Sequence, residues 1–241
     1  MRYWLNRSGA VADETSGDRV GVLPLFDDAQ GCEKFAQRVL RFGAGRSGAR
    51  ADEEADEVLF VLEGSGTASV GEATVPLRPG VGLFVRRAVE WSVETESGLE
   101  LLSVLVHDPE PTASEHAAVD LAGEERRSAT AARQFVIGVS AENGCSSVTQ
   151  FIGFVPPGRA PDHFHRYDEV IYVLDGEGML HVGGEDAPLG AGACVHLPAR
   201  LVHCLENTGE SELRLLGVFR PSGSPAEAYY PDGTPAVHTD D

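Results

Sequence analysis

The chain repeats itself. Glu57-Val58-Leu59-Phe60-Val61-Leu62-Glu63-Gly64-Ser65-Gly66 returns as Glu169-Val170-Ile171-Tyr172-Val173-Leu174-Asp175-Gly176-Glu177-Gly178, an offset of 112 residues. The match runs on without a gap through Val70/Val182, Gly71/Gly183, Pro76/Pro188, Leu77/Leu189 and Gly80/Gly192. It gives 11 identities over residues 57–80. A fixed internal offset means one supersecondary plan used twice. The 241 residues then divide into two modules of about 110 residues each, rather than one large domain.

The module reads as β. Glu57 to Leu62 and Glu169 to Leu174 are rich in valine, isoleucine and aromatics and end at Gly-x-Gly, and each is followed by a second short run and another glycine. Strand, turn, strand follows. Further strands are predicted at Phe35 to Phe42, Leu99 to Val106, Phe135 to Val139, Ser147 to Val155, Ala193 to Leu197 and Leu213 to Phe219. With 28 Gly and 14 Pro supplying turns, evenly spaced short strands predict an all-β sandwich or small barrel. Asp108-Pro109-Glu110-Pro111 breaks the pattern, so we place a linker at 108–132, with a short helix in Ser114 to Leu121. The modules then span 1–107 and 133–241, and the Pro-, Gly- and Ser-rich tail from Arg220 is expected to wrap the surface or fray at its end.

Charge and rare residues remove several classes of function. Nineteen Lys and Arg against 38 Asp and Glu give a net charge of −19, the wrong sign for a nucleic-acid footprint or an anionic membrane surface. No run approaches the length of a membrane span, and the N-terminal stretch lacks the apolar core of a secretion signal, so a soluble, cytoplasmic protein is expected. Four cysteines without a C-x-x-C read as reduced, buried thiols. Lys34 is the sole lysine, which leaves little scope for Schiff-base chemistry.

The second module holds His163-Phe164-His165, then Glu169, then His203. Alternate residues of a strand share a face, so His163 and His165 project together, and a tight turn over 166–168 brings Glu169 in from the next strand. If His203 joins from another strand, three neutral imidazoles and a carboxylate suit one divalent transition metal (Mn, Fe, Co, Ni, Cu or Zn) with open positions for substrate.

These residues resemble a known family. Pro157-Gly158-(x4)-His163-x-His165-x3-Glu169-x6-Gly176 is similar to the first cupin motif, with one residue fewer before the first histidine. Gly183 through Asn207, with Leu197-Pro198 and His203-x3-Asn207, resembles the second, although its usual Pro-Gly reads Ala191-Gly192. The resemblance implies two tandem jelly-roll (cupin) β-barrels, a bicupin, with a metal in the second lumen on His163, His165, Glu169 and His203. In the first module the same positions read Ala51, Glu53, Glu57 and Trp91, so only the glutamate survives and that barrel is expected to lack metal.

Around the metal, His181 and His196 are candidate acid/base groups if they face the lumen, and Glu169 is a candidate base as well as a ligand. Gln150, Phe151, Phe154 and Phe164 are candidates to line or cap the cavity, whereas Tyr172 and Cys204 alternate to the opposite face. Arg159, Arg166 and Arg200 flank the motifs and are candidates to meet an anionic substrate at the mouth. The reading from sequence is a metal-dependent dioxygenase or oxidoreductase acting on a small enolisable or phenolic compound. Alternatives are an isomerase, lyase or decarboxylase of a small sugar or keto acid, and a non-catalytic metal-anchored binding protein. Cupins pair often, which implies a homodimer.

Overall fold

The structure is a computed structural model that describes residues 4–6, 13–14 and 19–236. In chain order its strands begin with β1 (Trp4–Asn6), β2 (Asp13–Glu14), β3 (Val20–Phe26), β4 (Phe35–Phe42), β5 (Gly45–Arg46), β6 (Asp56–Gly64), β7 (Gly66–Val70) and β8 (Ala73–Leu77). They continue with β9 (Val81–Val85), β10 (Trp91–Thr95), β11 (Leu99–Val106), β12 (His116–Asp120), β13 (Arg127–Ser128), β14 (Gln134–Ile137), β15 (Thr149–Val155) and β16 (Gly158–Arg159). The last are β17 (Asp168–Asp175), β18 (Gly178–Val182), β19 (Glu185–Leu189), β20 (Ala193–Leu197), β21 (His203–Asn207) and β22 (Leu213–Arg220).

Each unit is a seven-stranded sheet facing a four-stranded one, the two-layer jelly-roll plan read from the sequence. In the first, β12-β9-β6-β11-β4-β3-β2 faces β5-β10-β7-β8; in the second, β1-β20-β17-β22-β15-β14-β13 faces β16-β21-β18-β19. Among the described residues every ladder is antiparallel, and the longer strands turn an apolar face inward. Leu59, Val61, Leu83, Val85, Val93 and Leu101 fill the first interior, and Ile171, Val173, Leu180, Val195, Leu197 and Leu215 the corresponding part of the second. Each such side chain contributes on the order of 1.5–3 kcal/mol by leaving water.

The repeated Gly-x-Gly has a backbone explanation. Gly64 and Gly176 take φ values of 81° and 93°, the left-handed region that a Cβ disfavours. Two residues on, a Cβ at Gly66 or Gly178 would lie 2.5 Å from the carbonyl oxygen of Glu94 or Glu206. One glycine turns the chain and the next lets the opposite strand approach.

The segment 108–132 is less of a linker than its composition suggests, and the short helix expected over Ser114 to Leu121 is instead strand β12, paired with β9 from His116↔Val85 to Asp120↔Val81. Alanines permit a helix, but β9 would otherwise be an open edge, and its backbone hydrogen bonds outweigh so weak a propensity. β1 covers β20 in the same manner, with Trp4 opposite Val195. The compact units therefore depart from the boundaries 1–107, 108–132 and 133–241: the first runs through Gly123 and adds Gly138–Ser147, and the second takes β1, Glu124–Ile137 and the residues from Val148 on.

In the first lumen the surviving glutamate is enclosed by donors. The Glu57 carboxylate accepts from Arg38 Nη2 at 3.0 Å, from Trp91 Nε1 at 3.0 Å and from the Ser103 hydroxyl. Trp91 is 2% exposed and fills the space around it. Glu57→Ala strands the Arg38 charge and opens a void, so chemical denaturation should show a loss of about 2–4 kcal/mol.

On the outer face of the second unit's smaller sheet, His181 bridges Asp186 (2.6 Å) and Glu206 (2.8 Å). Burial alone would lower its pKa, but the two carboxylate hydrogen bonds outweigh it and the net shift is upward. A raised folded-state pKa stabilises fully below the unfolded value of about 6.5 and ceases to do so as pH rises through the folded one. Denaturation of wild type and His181→Gln should therefore differ most near pH 6 and converge by about pH 9.

Candidate metal centre

His163 and His203 face each other across an isolated antiparallel bridge, with His203 N donating to His163 O at 2.8 Å and His163 N to His203 O at 3.0 Å. That pairing puts both side chains on one face. His165, two residues on, lies on the same face by strand alternation. Ring centroids are separated by 5.0 Å (His163–His165), 4.7 Å (His163–His203) and 5.3 Å (His165–His203). One ligand atom from each of the three lies within 4.8 Å of the others.

The backbone sets the protonation of all three rings. His163 Nδ1 lies 3.0 Å from Pro161 O, His165 Nδ1 2.7 Å from Glu227 O, and His203 Nδ1 2.8 Å from Leu201 O. A carbonyl oxygen only accepts, so each Nδ1 carries the hydrogen and each Nε2 keeps its lone pair. Burial lowers the pKa of His163, takes His165 down to about 3 with a further contribution from His163, and holds His203 well below its ordinary value. Protons are thereby kept off three converging electron pairs. The donor set suits a borderline divalent cation, which converts mutual repulsion of these pairs into coordination.

Glu169 is the second residue of β17 and is 3% exposed. It lines the same cavity, although the mutually close set comprises the three histidines. Space for its carboxylate comes from Gly217 on the paired strand β22, where a Cβ would lie 3.0 Å from Glu169 Oε1 and 2.2 Å from the Phe151 ring. Burial, then the neighbouring Asp168, pushes its pKa up to about 8. Among the described residues no cation forms an ion pair with it, as with a carboxylate ligand before its metal arrives.

The cavity holds about 80 Å³, space for on the order of five waters. His163, His165, Glu169 and His203 line it together with Phe135, Phe151, Phe154, Ile171, Leu205 and Leu215. Phe151 and Phe154 are thus lining residues as expected, while Phe164 stacks on Tyr229 with centroids 5.6 Å apart. Gln150 and Tyr172 are absent from the lining. Tyr167, sandwiched between His165 at 4.6 Å and Phe219 at 3.9 Å, is a wall residue that strand alternation did not single out.

The two candidate acid/base histidines lie outside this cavity. His181 is on the outer face described above, and His196 is tied by Nε2 to Asp168 Oδ1 at 2.9 Å. Both alternate with inward residues, His181 between Leu180 and Val182 and His196 between Val195 and Leu197, so the pleat turns them away from the lumen. The flanking arginines are also engaged elsewhere or absent from the lining: Arg159 pairs with Asp162, Arg166 lies 4.0 Å over the Tyr229 ring, and Arg200 occupies a turn with φ 67°.

Two segments outside the motifs complete the walls. Ala129, Thr130 and Arg133 precede β14, and Pro225 and Ala228 belong to the C-terminal tail. The tail is strapped across the barrel by Tyr229, whose backbone exchanges hydrogen bonds with Phe164 at 2.8 and 2.9 Å. The tail therefore takes part in the site rather than merely wrapping the surface. A proline- and glycine-rich composition carries no sign of that, because its contribution to His165 is a backbone carbonyl that any residue supplies.

Comparison with known proteins agrees with this geometry. Residues 151–219 match the Cupin domain family. An oxalate-binding protein of Thermotoga maritima is 38% identical over 67 residues, which cover 27% of this chain and 55% of that protein. The polyketide synthase CurC of Streptomyces cyaneus is 28% identical over 100 residues, covering 40% of this chain and 65% of CurC. The match thus spans less than two thirds of either relative. Among solved structures, oxalate decarboxylase of Bacillus subtilis, described with Mn(II) centres, superimposes with a TM-score of 0.75 at 13% identity, covering 92% of this chain and 78% of that one. A glyoxylate-induced protein of Pseudomonas aeruginosa gives 0.73 at 17% identity, over 86% and 83%. At such identities the structural likeness speaks for the two-barrel fold, and the second motif region speaks for the family. The chain is thus built of tandem jelly-roll barrels, and residues 151–219 of the second match the Cupin domain family.

Proposed function

We propose that the second barrel is a metal-dependent enzyme of the decarboxylase or related lyase class, acting on a small acid. The observation that carries this is the histidine triad whose Nδ1 atoms are all held by backbone carbonyls, leaving three Nε2 lone pairs aimed into one small, largely apolar cavity. His163, His165 and His203, with Glu169 as fourth ligand, would hold one divalent ion, and Mn(II) is the first to try because the Bacillus subtilis decarboxylase is described with it. When bound, the ion supplies Lewis-acid polarisation of a substrate oxygen.

The chain's own residues supply the rest. The carbonyls of Pro161, Leu201 and Glu227 fix the imidazole orientations, so the ligand face is preorganised. Phe151, Phe154, Ile171 and Leu215 present apolar surface to the cavity, which disfavours a localised carboxylate charge relative to charge spread into the remaining fragment as neutral carbon dioxide leaves. A cavity of about 80 Å³ restricts the substrate to a few heavy atoms. The dioxygenase reading takes second place, because the relatives with oxalate in their names favour a small acid.

Elemental analysis of protein purified without added metal should find about one transition-metal ion per chain. His163→Ala and His203→Ala should each lower affinity for that ion by more than about a hundredfold, since even outer partners of a ligand are worth ten- to a hundredfold. Carbon dioxide release from short dicarboxylic and 2-oxo acids tests the reaction class. A metal-loaded protein that releases none, yet consumes oxygen with enediols, would return the dioxygenase to first place.

A further inference from the structure

One cavity-lining cation was not among the candidates from the sequence. Arg133 lies just before β14, in a turn where Ala131 and Ala132 both take left-handed backbone, φ 57° and 55°. Two successive non-glycine residues in that region are strained, and such conformations persist only where the surroundings enforce them. Here Arg133 O accepts from Ala129 N at 2.7 Å, Arg133 N donates to Thr130 O at 3.3 Å, and its Nη2 donates to Leu205 O at 2.5 Å. The turn is thereby folded so that the side chain reaches the histidine-lined cavity.

The guanidinium has little to neutralise it there. Its side-chain partners are the Leu205 backbone carbonyl and the Cys204 thiol. Among the described residues no carboxylate forms an ion pair with it, whereas Arg38 in the first unit is matched by Glu57. A half-buried guanidinium with no carboxylate partner at the wall of a cavity favours an anion in that cavity.

We propose that Arg133 is the anion-binding residue of this lumen, and that the substrate is a short carboxylic acid of about two to four carbons with one carboxylate on Arg133 and a second oxygen at the histidine face. This rests on the reading of the barrel as a metal-dependent enzyme and adds to it the charge and two-point attachment of the substrate. It also assigns a purpose to the strained Ala131-Ala132 turn, which holds the cation at a fixed distance from the ligand face.

The test is calorimetric titration of the full chain with oxalate, malonate and succinate, and with oxamide, the uncharged counterpart of oxalate, in metal-free and Mn(II)-loaded forms. The expected result is binding of at least one dianion, with oxamide much weaker. Arg133→Gln should weaken that dianion by about ten- to a hundredfold in both forms, with Mn(II) stoichiometry unchanged. Arg133→Lys should recover part of the affinity, and should Arg133→Gln fail to fold, the lysine variant and the oxalate-to-oxamide ratio decide the matter. Equal dianion affinity in wild type and variant, oxamide binding as tightly as oxalate, or no dianion binding at all would each overturn the proposal. A wild type that takes up no Mn(II) but binds a dianion through Arg133 removes the metal reading and leaves this one standing.

Discussion

A carboxylate inside a β-barrel must be compensated, because an isolated charge in so apolar a medium is far too costly to keep. Both barrels place one at the same position of the repeat, and they meet the requirement in opposite ways. Around Glu57, three donors close in and Trp91 fills the remaining space, so the first interior is complete in itself. Around Glu169 the neighbours are aromatic rings, a glycine and imidazoles that offer lone pairs instead of hydrogens. Among the described residues no such set of donors closes around Glu169, and it faces a cavity that the histidine cluster shares.

The electrostatics of the second lumen are set by main chain as much as by side chains. Three carbonyl oxygens from three separate segments choose the tautomer of three histidines, and one of those segments is the C-terminal strap. Stacking of His165 on Tyr167, and of Tyr167 on Phe219, removes the rotational freedom that remains. A ligand face assembled in this manner loses little entropy when it binds an ion, which favours affinity and a defined geometry.

Much of this was legible in the residues. The offset of 112 located both barrels, and the predicted strands at 35–42, 99–106 and 193–197 coincide with the observed ones. Period-two alternation placed His163 and His165 together and turned Tyr172 outward. It was undecided on His181 and His196, since alternation gives relative faces and needs one anchored residue per strand to say which face is inside. Arg133 escaped notice because its location depends on a left-handed Ala-Ala turn, and alanine is not a residue that advertises such a turn. β12 escaped because an edge strand is defined by the partner it covers more than by its own pattern.

The placement of β1 and β12 has a consequence for how this protein comes into being. β1 precedes the first copy of the repeat yet closes the sheet of the second unit, and β12 follows the first copy by connection yet closes the sheet that contains β9. While the polypeptide is emerging from a ribosome, the residues of β1 are made long before β20 exists and must wait unpaired for it. A gene fragment that starts at the second repeat would produce a sheet with β20 as a bare edge, an open template for pairing with another molecule. The second barrel looks self-contained on the basis of its repeat, but its larger sheet is finished only when β20 reaches back to the earliest residues.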